Sequence, residues 1–72
     1  MEVRATVGKF EVVINTAEQR GYFEHEHYGD GVGGGLWFED KNLTDYDGVF
    51  ELPSEVIAAI RELGYTVAKE FE

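Results

Sequence analysis

The sequence predicts an α+β fold: a small antiparallel β-sheet, an N-terminal hairpin plus two or three further strands, packed against one C-terminal helix. Three observations predict it. Apolar residues alternate on both sides of Gly8-Lys9, apolar residues recur at helical spacing between Val56 and Leu63, and turn-rich segments separate the stretches between. The chain has 72 residues, so positions 1–72 are read as one small acidic domain. Hydrophobic residues make up 43% of it, an ordinary globular share, and with no cysteine the core must rest on them alone.

The first element follows from parity. Val3, Ala5 and Val7 occupy odd positions, whereas Phe10, Val12 and Ile14 occupy even ones. A two-residue turn at Gly8-Lys9 pairs Val7 with Phe10, Ala5 with Val12 and Val3 with Ile14, which puts all six on one face. Gly8 suits the first central position of a type II′ turn. A bulge at Gly8 in one long strand would also restore parity, but the hairpin is preferred.

Asn15 to Gly21 is polar and reads as a connection. Tyr22 to Tyr28 alternates as a strand, with Phe23, His25 and His27 on one face and Tyr22, Glu24, Glu26 and Tyr28 on the other. Gly29 to Gly35 reads as a flexible loop, because five of its seven residues lack side chains. Leu36 to Glu39 is a short strand, Lys41 to Gly48 a polar turn region, and Val49 to Leu52 a last short strand. The helix begins at Pro53, which suits a first helical position, and Ser54 and Glu55 complete its first turn. Val56, Ile57, Ile60 and Leu63 form its apolar stripe. Gly64 fits a left-handed cap on which Tyr65 folds back, and Tyr65, Val67 and Phe71 alternate as a closing edge strand.

Charge carries most of the functional information. The net charge is −9, and the stretch from Glu24 to Glu55 holds nine carboxylates against one base, Lys41. The remaining forty residues hold six acids and five bases. Such a balance argues against nucleic acid or an anionic membrane as a direct partner. No apolar run reaches membrane-spanning length and the N-terminus has no signal-peptide core, so a cytoplasmic protein is expected.

Several motifs dissolve when weighed. Gly29-Asp30-Gly31-Val32-Gly33-Gly34 spells a nucleotide-loop string, but a strand follows it, Asp30 sits within it, and no base is near. Asp45-Tyr46-Asp47-Gly48 looks like the middle of a calcium loop. The first and twelfth ligand positions of that register fall on Leu43 and Ser54, so a turn is the better reading. Asp45, Asp47 and Glu51 remain the candidate calcium ligands. His25 and His27 lie about 6–7 Å apart along a strand face and are candidate zinc ligands if Asp30, Glu39 or Asp40 supplies a third. Catalysis finds no footing: the chain has no cysteine, and its single serine is accounted for by the helix start. No enzyme activity and no cofactor are expected.

Acids interleaved with aromatics form the candidate partner-binding set: Tyr22, Glu24, Glu26, Tyr28, Asp30, Trp37, Glu39, Asp40, Asp45 and Asp47. Aromatic anchors ringed by charge are typical of protein–protein hot spots. Trp37 reads equally well as the centre of a second small core beneath the glycine segment. In size, charge and sheet-plus-helix plan the chain resembles the small acidic proteins of phages and plasmids, anti-CRISPR and DNA-mimic inhibitors among them. That resemblance implies a partner with a basic, nucleic-acid-binding surface and assigns no residue. The expected function is a non-enzymatic module docking on a basic protein surface. A metal-binding accessory domain is the runner-up, and a homo-oligomer formed through an open sheet edge is a third reading.

Overall fold

A computed structural model describes residues 1–26 and 29–71, with the backbone alone at 29–32. Six strands form one sheet in chain order: β1 (Glu2–Val7), β2 (Phe10–Asn15), β3 (Arg20–His25), β4 (Gly29–Glu39), β5 (Asn42–Tyr46) and β6 (Thr66–Val67). Helix α1 (Ser54–Glu62) lies between β5 and β6, and a 3-10 turn spans Lys69–Phe71.

The N-terminal hairpin has the register that parity demands: Val7 opposite Phe10, Ala5 opposite Val12, Val3 opposite Ile14. Gly8 has φ +61° and Lys9 is not among the positive-φ residues, which separates a II′ turn from a I′ turn. The helix also matches expectation. Its buried stripe is Val56, Ile57, Ala59 and Ile60. It ends in a Schellman motif, with Gly64 at φ +88°, Tyr65 N donating to Ile60 O (3.2 Å) and Gly64 N to Arg61 O (3.0 Å). Pro53 sits one residue earlier than expected, as the N-cap, its carbonyl accepting from Val56 N and Ile57 N.

Six expectations are corrected. The sheet is mixed, because β6 runs parallel to β5; a helical crossover returns the chain to the starting end of β5. The segment 29–35 is part of β4, not a loop. Its glycines permit a close approach: a Cβ on Gly34 would overlap the Asp47 carbonyl oxygen, and one on Gly33 would lie 2.5 Å from the Phe23 carbonyl oxygen. The region 41–48 is mostly strand β5, entered through a turn at Asp40 (φ +52°) and Lys41 (φ +64°). Two left-handed central residues define a I′ hairpin turn without the usual glycine. Val49–Leu52 is an irregular connection, and the closing strand shrinks to Thr66–Val67 before the 3-10 turn. The strand expected at Tyr22–Tyr28 starts earlier, at Arg20, and its described part ends at His25. His27 and Tyr28 lie outside the described residues.

Helix α1 touches β1 and β2 at one side of the sheet and β6 at the other. Laid flat, β1 and β6 would be about 24 Å apart, five inter-strand steps of about 4.8 Å, whereas a helix is only about 10 Å across. The sheet therefore curls around α1 as a half-barrel. The core lies inside the curl: Val12, Ile14, Phe23, Leu36, Phe38, Leu43 and Val67 from the sheet meet Val56, Ala59 and Ile60 from the helix. Phe38 and Tyr65 pack edge to face at 4.8 Å.

Candidate functional site

Register divides the candidate residues between the two faces and two ends of the sheet. Phe23 lies in the core, so its strand neighbours Tyr22 and Glu24 point to the convex outer face, as expected. Trp37 alternates with the buried Leu36 and Phe38 and shares that face. Directly opposite Tyr22 and Glu24 on β4 are Gly35 and Gly33. Of these two side-chain-free positions, Gly35 is covered by the Trp37 ring. Tyr22 is half exposed.

Trp37 is neither a free anchor nor the centre of a second core. Its indole folds back along β4, so a Cβ on Gly35 would come within 2.8 Å of Trp37 Cη2. The Arg20 guanidinium lies over the ring, 5.8 Å from its centroid. Arg20 is the cross-strand neighbour of Trp37 on β3, and Asp45 is its neighbour on β5. On β1 and β2, Arg4 lies 3.6 Å from Glu2 and 3.9 Å from Glu11, exposed pairs of small energetic weight. The outer face consequently carries arginines among its acids. Val13 is buried on this side, its neighbours Val12 and Ile14 being in the core.

The acids separate by height along the strands. The carboxyl end of β3 carries Glu24, with Glu26 just beyond it; the β1–β2 turn supplies Lys9 at the same end. The connection from β5 to α1 brings Asp47 and Glu51 towards this end, and the first turn of α1 sets Glu55 against the hairpin, its Cγ 3.3 Å from a Cβ placed on Gly8. β6 runs parallel to β5, so the Lys69–Phe71 turn reaches this end too, with Glu70 lining a cavity beside Glu51. Six carboxylates, Glu24, Glu26, Asp47, Glu51, Glu55 and Glu70, thus lie towards the end that carries Lys9 and Lys69. Glu39 and Asp40 sit at the other end of the sheet, in the β4–β5 turn beside Lys41. The ten-residue candidate set is therefore not one surface. The side chain of Asp30, like Tyr28, lies outside what is described.

Asp47 is built into the scaffold. Its Oδ1 accepts from Gly35 N at 2.6 Å while its own N donates to Gly35 O at 3.1 Å, which extends the β4–β5 ladder past the end of β5. Asp45 Oδ1 accepts from Tyr46 N. His25 faces inward at the sheet rim, edge-on to Phe10 at 4.9 Å, whereas Glu39 and Asp40 are at the far end of β4. Among the described residues no three His, Cys, Asp or Glu side chains converge as a metal site. No helix is long and apolar enough to cross a membrane among them.

One exposed residue has no place in the sequence-derived set. Phe50 is 102% exposed, while Leu52, two residues on, is buried and Val49 packs against the core. Its segment reads as an alternating strand, in which one of two neighbouring apolar residues turns outward unremarked. The available signal was the bracket Gly48 to Pro53, too short a connection to bury Val49, Phe50 and Leu52 together.

Comparisons with protein-family models, with curated proteins and with solved structures found no match.

Proposed function

We propose that this protein is a non-enzymatic binding module that docks its acidic end on a basic surface of another protein. The observation that carries the reading is the placement of Glu24, Glu26, Asp47, Glu51, Glu55 and Glu70 at the end of the sheet whose only lysines are Lys9 and Lys69, while the opposite end mixes Glu39 and Asp40 with Lys41. Like charges held together repel, and a domain with a margin of only a few kcal/mol tolerates that more readily when a partner neutralises them. Inhibition by occupying a nucleic-acid-binding site is the special case in which the basic surface already serves phosphate.

The test compares two double variants of equal charge change. Glu24→Lys with Glu51→Lys reverses the acidic end; Glu39→Lys with Glu62→Lys, the latter at the α1 terminus nearer the β4–β5 turn, reverses the other. Partners captured from a source-cell lysate by the wild-type chain should elute at high salt, where the Debye length falls to about 3 Å. The first variant should lose that capture and the second retain it. Equal loss in both, retention in both, or elution insensitive to salt overturns the reading.

A further inference from the structure

We infer that Phe50 is the apolar anchor of the acidic end, and that the partner surface it fits is an apolar patch bordered by lysine and arginine. This rests on the docking reading above and names the chemistry of what is docked. The side chain is completely exposed, yet the backbone beneath it is held from both sides. Before it, the Asp47–Gly35 double hydrogen bond fixes the chain, and a Cβ on Gly48 would overlap the Gly33 carbonyl oxygen, so the turn lies tight against β4. After it, Leu52 is buried and Pro53 caps α1. Tyr46 Oη donates to the Phe50 carbonyl at 3.0 Å, and the Tyr46 ring is itself packed edge-on to Phe71 at 5.4 Å.

An aromatic ring presented on such a pinned loop loses little further freedom on binding, the property that makes preorganised aromatics dominate interfaces. The acids specify its surroundings. Asp47 and Glu51 flank Phe50 in the chain and both are exposed, so any surface that receives the ring meets negative charge around it. Basic residues bordering an apolar patch satisfy both requirements. The same carboxylates disfavour an anionic lipid surface.

The experiment uses two synthetic helical peptides of equal lysine content as probes. One has a leucine stripe between its lysines; the other has glutamine at the leucine positions. The full chain should bind the leucine peptide about tenfold or more tightly than the glutamine peptide, as expected for burying one phenylalanine. Phe50→Ala should abolish that preference while binding the glutamine peptide as the wild type does. Its melting temperature should be unchanged, because the ring makes no core contact. If Phe50→Ala keeps the preference, or the wild type shows none, the anchor inference fails and the docking reading stands. If the wild type binds neither peptide at low salt, the docking reading itself fails.

Discussion

The β1–β2 hairpin and the β4–β5 pair are both antiparallel ladders in the same sheet, but different terms hold them. In the hairpin, side chains decide: six apolar residues share a face, and slipping the register by one would turn one strand's three to the opposite face from the other's. In the β4–β5 pair side chains face each other from Leu36 to Glu39, but where β4 continues past the end of β5 the absence of side chains decides. Asp47 and Gly48 lie against Gly33 and Gly34 at separations that no Cβ allows. A ladder specified by burial tolerates substitutions that keep an apolar side chain, whereas one specified by close approach tolerates none that adds an atom.

The substitution expected to cost most is one that removes what the two regions share. Phe23 is almost wholly buried and sits between Val12 of the hairpin and Gly34 of β4. Phe23→Ala should destabilise by about 3–5 kcal/mol in urea unfolding. A cost under about 1 kcal/mol would mean the two halves are not joined through this ring. Gly34→Ala should cost about 1–3 kcal/mol, since backbone must move to admit one methyl. If it is neutral, close approach is not what holds the β4–β5 side. The reverse exchange in the hairpin, Ala5→Gly, should cost about 0.5–1 kcal/mol through lost burial and greater unfolded-state freedom. The smallest effect concerns the two turns. Lys41→Gly should raise stability by about 0.5 kcal/mol, because left-handed strain at φ +64° is relieved. Lys9→Gly should not, since Lys9 does not adopt positive φ. Thermal melts of the two glycine variants side by side would show whether the turns differ as their dihedrals require.

The same contrast explains what the sequence disclosed. The hairpin register and the helix with its glycine stop were legible because side chains of the right kind recur at periods 2 and 3.6. In β4 the Leu36–Glu39 half was legible for the same reason, but the glycine half, 29–35, was not, since glycine carries no periodicity. Strand β5 was hidden twice: its entry turn uses Asp40 and Lys41 where Asn-Gly would announce a hairpin, and Thr44 interrupts its pairing with β4, bonding through its hydroxyl to the Trp37 carbonyl. Two residues of β6 are too few to show direction. The acid-rich stretch was visible, but its division between the two ends of the sheet depends on which strands run up and which run down. Phe50 was hidden because exposure is a property of the folded surface, and Phe is ordinarily buried.

The strand order bears on how the chain reaches this state. Each of the first four strands pairs with its successor, so every new pairing closes only a short loop onto a strand already in place. Such contacts are local in sequence, and folding rates rise as loop-closure distances fall. The longer reaches, from β5 across α1 to β6 and from α1 back to β1 and β2, come last in the chain. The sheet can accordingly grow in the order in which a ribosome delivers it, with the helix and the final two-residue strand fastening a ladder that already exists.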